Sequence, residues 1–199
     1  MAIKDEFTPL PAGQIAAVIT HLEMHARPQL RREHGKPGEY ALRRMNMPEL
    51  AAYREIYRRV GEEWLWISKI RMPDAELAAI IQSPLMEIYA LAHEGRDEGL
   101  LELDFREPGQ CEFVSFGLTE RLVGIGAGRW LMNRALELAW SRPVTRVWLH
   151  TCTFDHPAAL AFYQRSGFRP FRRQVEVVTD PRLDGTVPRD VARHVPVIE

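Results

Sequence analysis

Three glycines at alternate positions, Gly124, Gly126 and Gly128, separate an apolar run, Cys111 to Leu118, from a segment with helical spacing, Arg129 to Trp140. Glycine loses more conformational freedom on ordering than any other residue. Such a cluster therefore persists where φ must be positive or where backbone must come close to something. A helix start adds a second constraint. Its first N–H groups have no intrahelical partner and the helix dipole adds partial positive charge, so a glycine loop that opens a helix favours an anion such as phosphate or pyrophosphate. A flexible turn is the plainer reading of glycines alone, and the order of the surrounding elements bears on the choice.

Gly13 to Met24 has the β-branched, apolar character of a strand, and "HARPQLRREHGKPGEY" after it is a polar linker rich in turn and basic residues. Asn46 and Pro48 mark a helix start, with apolar residues at helical spacing up to Gly61, and a second helix fits Pro73 to Ser83 with Pro84 beyond its end. Leu85–His93, Gly99–Arg106 and Cys111–Leu118 read as strands whose short joints, "EGRDE" and "EPGQ", predict an antiparallel meander. A helix over Arg129–Trp140, a strand over Thr145–Thr151, a helix over Pro157–Ser166 ended by Gly167 and a strand over Arg172–Val178 complete the chain. The order is β-α-α-β-β-β-α-β-α-β. A helix between the third meander strand and the next strand implies a right-handed crossover and a parallel pair, hence a mixed α/β sheet. The glycine loop then lies at the carboxyl end of a central strand, where such sheets hold ligands.

A length of 199 residues suits one domain, residues 1–199. With 26 basic against 27 acidic side chains, no field for nucleic acid or an anionic membrane stands out. Cys111 and Cys152 are too far apart to form a disulfide framework or a paired metal motif, so a reducing, cytoplasmic setting is expected. "MAIKDEFTPLPAG" lacks the apolar core of a signal peptide, and no apolar run is long enough to span a bilayer. Among anion loops, a dinucleotide site requires G-x-G-x-x-G and an acidic residue at the end of the next strand; here the spacing is G-x-G-x-G and that strand ends "LHT". A P-loop requires lysine and Ser or Thr after the last glycine, whereas Gly128 precedes Arg129 and Trp130.

The order of elements, "FGLTERLVGIGAGRWLMNRAL" and "HPAALAFYQRSGFRPF" together resemble the GNAT superfamily of N-acetyltransferases, whose signature is Q/R-x-x-G-x-G/A followed by a helix. The likeness is strongest from Glu112 to Phe171. It implies a single-domain α/β (α+β) fold with a mixed, mostly antiparallel sheet and a splayed parallel strand pair. Gly13–Phe116 would carry the acceptor-side helices and Gly117–Glu199 would bind acetyl-CoA. Val123 stands where the family usually has Gln or Arg, and His156 stands where it has Asn. The amides of Val123, Gly124, Ile125, Gly126, Ala127, Gly128 and Arg129 would receive the pyrophosphate. Phe116, Gly117 and Leu118 would run beside the pantetheine arm, with Gly117 as the strand's bulge residue.

The resemblance places Glu112 at the general-base position of histone-type members, with Glu102 second and Asp104 beside it on the same strand face, acting through a water. Tyr163 matches the tyrosine that protonates the departing thiolate. Acetyl transfer to a small-molecule or peptide amine by direct attack is the expected activity, and a non-catalytic acyl-CoA-binding or sensing module is the alternative. Neither nucleic acid nor membrane is expected as a partner, and a homodimer is left open. In "GEEWLWISKIRM", Trp64, Trp66, Glu62 and Glu63 would suit an ammonium on an apolar body, or the tryptophans are simply core. His21, Glu23 and His25 share one side of an extended strand but read better as a polar face than as metal ligands, so no metal is expected. Cys152 between His150 and His156 has the ingredients of a thiol nucleophile but reads better as a small buried residue.

Overall fold

The computed structural model describes residues 7–33 and 38–199. Residues 1–6 of the amino-terminal stretch and residues 34–37 of the polar linker lie outside it. The elements run β1 (Gln14–Met24), β2 (Ala41–Arg44), α1 (Leu50–Gly61), α2 (Ser68–Arg71), α3 (Asp74–Ile81), β3 (Met86–His93), β4 (Arg96–Asp104), β5 (Gln110–Leu118), α4 (Ala127–Ala139), β6 (Arg146–Cys152), α5 (Ala159–Arg165) and β7 (Arg169–Thr179). They form a seven-stranded sheet in the order β2-β3-β4-β5-β6-β1-β7. Every pairing is antiparallel except β5 with β6. The fold is a mixed α/β domain.

Helices cover both faces because the strands alternate. On one face Leu22, Leu101, Leu103, Phe113 and Leu149 pack against Leu131, Met132 and Ala135 of α4. On the other, Ile88, Ala90 and Leu100 meet Tyr53, Ile56, Tyr57 and Val60, which recur at helical spacing along α1. No helix among the described residues is long and apolar enough to cross a membrane.

The structure adds β2 and α2 to the order read from sequence and extends β4 backwards. Only Glu94 and Gly95 turn the β3–β4 hairpin, both at positive φ (49° and 76°). Two residues suffice for such a turn, so Arg96 and Asp97, read as joint, pair with β3, and Glu98 is the extra residue of a bulge in β4.

The feature that shapes the site lies at mid-sheet. β5 pairs with β6 only from Gln110–Phe113 against Arg146–Leu149. Beyond that point β5 stays with β4 to Leu118, while β6 stays with β1 to Cys152, so the two strands diverge. The bulge that marks the divergence is at Val114, not at Gly117: Glu102 faces Ser115 while Leu103 faces Phe113, leaving Val114 as the extra residue. Gly117 has a different reason to be glycine. A Cβ there would lie 2.6 Å from Val60 Cγ1 and 2.8 Å from Trp66 Cη2, so α1 and the Trp66 ring can approach the strand only if none is present.

After β7 the chain continues without helix or strand across the α1 side of the sheet. Val187 and Ala192 pack with Ile15 and Leu65 there. Arg182 holds this segment together: its guanidinium is paired with Asp180 and donates to the carbonyls of Val191, Ala192 and Val195.

Candidate functional site

The divergence of β5 and β6 opens a cleft of about 880 Å³ that runs from the glycine loop to the carboxyl-terminal segment. One wall is β5 from Phe113 to Leu118, and the other includes His150 and Cys152 of β6. The loop closes one end. Gly124 and Gly126 sit at φ 83° and 97°, in the left-handed region where a Cβ is costly. The amides of Gly124, Ile125, Gly126, Ala127 and Gly128 donate to no group among the described residues, whereas Val123 and Arg129 on either side donate to Glu120 and Gly126 carbonyls. Consecutive undonated amides at the start of a 13-residue helix concentrate partial positive charge, which favours an anion.

Arg31, Arg129 and Arg165 stand together there, and Arg32 also lines the cleft. Burial, with the nearby Arg31 and Arg165 charges, pushes the Arg129 pKa down, and its guanidinium lies 4.7 Å from the centroid of the Phe162 ring. None of the four side chains is ion-paired among the described residues. A cluster of unpaired, mutually repelling guanidinium groups is favourable only toward an anion.

Of the cofactor-side residues expected from sequence, Phe116, Gly117, Leu118 and Val123 line the cleft. So do Gly124, Gly126, Gly128, Arg129, His156 and Tyr163. Ile125, 49% exposed, and Ala127, buried in the core, do not line the cleft. His156 accepts the Ala158 N–H at Nδ1 (3.1 Å), its ring edge-on to Trp64. Tyr163 packs edge-on against Phe116 and Phe168. Burial, with the Asp155 charge, holds its hydroxyl far above the ordinary tyrosine range, so it is a phenol at neutral pH.

The carboxylates divide differently from the expected set. Glu112 does not line the cleft; it faces a separate depression with Asp104, Arg106 and Trp148, its Oε1 lying 3.7 Å from His150 Nδ1. Glu102 is fully buried outside the cleft and accepts the Tyr53 hydroxyl (2.5 Å) and the Ser115 hydroxyl (2.6 Å). Asp104 binds the Arg106 guanidinium through both oxygens. The carboxylates on the cleft are Asp155 and Glu176, neither of which sequence reading singled out. Asp155 accepts the Thr151 hydroxyl (2.7 Å), the Cys152 N–H (2.8 Å) and the Trp66 indole N–H (3.2 Å), tying the end of β6 to the α1–α2 connection.

Trp64 and Trp66 do face the cleft, but Glu62 and Glu63 do not. Glu63 accepts the Ala192 N–H (3.1 Å) and so anchors the carboxyl-terminal segment, whose Pro181 reaches the cleft. Cys152 also lines the cleft. Burial and the Asp155 charge raise its thiol to about 11, the reverse of what a thiol nucleophile needs. His21 bonds Gln174 (2.6 Å), while Glu23 takes Arg146 (2.7 Å) and His25 (3.2 Å). Among the described residues no group of three or more His, Cys, Asp or Glu is arranged to hold a metal.

The profile of the Acetyltransferase (GNAT) family matches residues 51–168. No match to a curated protein was found. Among solved structures, the chain is similar to a GCN5-related N-acetyltransferase from Sphaerobacter thermophilus, with TM-score 0.60 and 16% identity over 82% of this chain and 51% of that one. It is also similar to a tandem GNAT protein from the clavulanic acid biosynthesis pathway, with TM-score 0.57 and 15% identity over 81% and 53% of the two chains. A GCN5-related N-acetyltransferase from Kribbella flavida gives TM-score 0.52 and 15% identity over 87% and 63%. The chain thus spans 51% to 63% of the length of these three, and at such identities the likeness is one of fold. The family profile covers more than half of the chain and includes both the diverging strands and the glycine loop: the chain belongs to the GNAT family of acetyltransferases.

Proposed function

We propose that the protein transfers an acetyl group from acetyl-CoA to an amine acceptor, both bound at once in the cleft. The run of undonated amides from Gly124 to Gly128, set where β5 and β6 separate, carries this reading. The residues present fit an acyl-CoA. Those amides would hold the pyrophosphate, and Arg31, Arg129 and Arg165 would supply counter-charge to the remaining phosphate. Val114 to Leu118, with no partner strand on the β6 side, offer backbone groups to an extended amide-bearing arm. When bound, the acyl-CoA supplies an activated acyl thioester.

Tyr163 would donate a proton to the departing thiolate; that it lines the cleft and stays a phenol at neutral pH supports this role. The acceptor would enter between Trp64, Trp66 and the carboxyl-terminal segment. Aromatic faces there, with the Asp155 and Glu176 carboxylates, favour a cationic amine on an apolar body. A library of amines, screened with acetyl-CoA for release of free thiol, tests the reading. Turnover of at least one amine with mass gain on that amine is the expected result. CoA binding with no thiol release for any amine would instead mark a non-catalytic acyl-CoA-binding module.

A further inference from the structure

Glu112 and His150 form a pair that the chemistry above leaves unused. Glu112 faces Trp148 in the parallel ladder, one rung before β5 and β6 part. His150, two residues beyond Trp148, presents its side chain to the same face and is the first β6 residue past the last rung. The carboxylate therefore sits behind the point of divergence and the imidazole at its mouth. Glu112 Oε1 lies 3.7 Å from His150 Nδ1, while the His150 side chain is 44% exposed and lines the cleft. Nε2 has no hydrogen-bond partner among the described residues.

We propose that His150 is the general base of the reaction, taking the acceptor's proton at Nε2, and that Glu112 is a positioning residue whose carboxylate, close to Nδ1, steadies the imidazolium as it forms. This rests on the acetyl-transfer reading. In the step, the acceptor nitrogen forms its bond to the acyl carbon as the carbon–sulfur bond breaks. The N–H proton passes to His150 Nε2, and the Tyr163 hydroxyl proton passes to the sulfur. His150 then loses its proton to solvent and Tyr163 regains one, so the net change moves one proton from nitrogen to sulfur.

The other carboxylates are engaged or remote. Glu102 is buried beneath two hydroxyl donors, and Asp155 is committed to Thr151, Cys152 and Trp66. Glu176 is on β7, two strands from β6, and pairs with Ala17, four residues along β1 from the His21 that faces His150, so it is offset along the sheet as well as across it. Its charge would draw in an ammonium rather than take its proton at the divergence point. The charged or titratable groups around the His150 ring are Glu112 from β5, His21 from β1 (centroids 5.6 Å apart) and Asp155 after β6, with the Glu176 charge on β7 acting from further away. Arg172 lies in register beside His21. Glu112 foremost raises the imidazole pKa above its ordinary value, burial opposes it, and Asp155 and Glu176 add to the rise. A base must be neutral to act, so the rate should climb with pH through that raised value.

Two measurements test the pair. The first needs no acceptor: histidine side-chain NMR titration, with the His150 resonance identified by its loss in His150→Gln. In Glu112→Gln that imidazole should titrate at lower pH than in wild type, and an unchanged titration would overturn the coupling. The second is kcat/KM against pH with an amine from the screen. His150→Gln should lose about 10²- to 10⁴-fold and its ascending limb while keeping wild-type thermal protection by CoA. Glu112→Gln should shift the limb to lower pH. If wild type turns over but His150→Gln keeps its rate and limb, the base assignment alone falls. If wild type turns over no amine, the transfer reading itself falls and takes the base with it.

Discussion

Gly126→Val separates the cost of strain from the loss of a ligand. Gly126 lies at φ 97°. A side chain in the left-handed region costs about 1–2 kcal/mol. For a chain of this length 1 kcal/mol corresponds to about 2–4 °C in Tm. Strain alone should therefore lower the unliganded Tm by about 2–8 °C. Gly185 provides a matched control. It lies at φ 76° with no atom within 4 Å of a would-be Cβ, outside the cleft, so Gly185→Val carries comparable strain and no ligand effect. CoA at a hundred times its Kd stabilises the native state by about 2.7 kcal/mol. That is about 5–11 °C of protection. In differential scanning fluorimetry Gly185→Val should retain the full increment above its lowered baseline, and Gly126→Val less than half of it. Equal increments in the two variants would refute the cradle, however far the baselines had fallen.

Three further outcomes are expected. Tyr163→Phe removes only a hydroxyl, so CoA protection should persist while kcat, read by thiol release, falls about 10²-fold; unchanged turnover would mean that the thiolate is protonated by water. Because Arg129 is flanked by Arg31 and Arg165, wild type should bind CoA more tightly than dephospho-CoA in calorimetry. Arg31→Ala should narrow that preference, and equal affinities in wild type would show that the arginines serve something else. Asp180→Asn leaves Arg182 buried without its carboxylate, an expected loss of about 3–5 kcal/mol in urea unfolding. The Arg182 guanidinium holds the Asp180 carboxyl below its ordinary range. The pair therefore stabilises above the unfolded carboxyl pKa of about 3.9, and its contribution disappears as pH falls through the lowered native value. Wild type should lose more stability than Asp180→Asn over that acid window, and parallel curves would refute the coupling.

Signals written within a few residues were legible. The glycine loop is legible because positive φ, undonated amides and a following helix are all properties of one short segment. The same holds for α1 and α4, whose apolar spacing needs only 3.6 residues per turn, and for the order of elements that implies a parallel pair at mid-sheet. Ala41–Arg44 escaped because a four-residue, largely exposed edge strand carries no alternation of its own and exists by pairing with β3. The carboxyl-terminal segment escaped because Arg182 organises it by collecting carbonyls rather than by any periodic pattern.

What the sequence by itself determined is the fold class, the family likeness and the position of the glycine loop between a central strand and a helix. Tertiary structure alone decided which side chains meet across the cleft. A one-residue change of register turns a strand's side chains to the other face, so the bulge at Val114 could not be assigned before β4 and β5 were paired. The same register places Glu112 behind the cleft and His150 within it, although 38 residues separate them in the chain. Arg31, Arg129 and Arg165 converge from three distant segments, and Gly117 is explained only by the Trp66 ring that packs on it. Each of these is a contact between segments far apart in sequence, fixed by packing and strand pairing rather than by local preference.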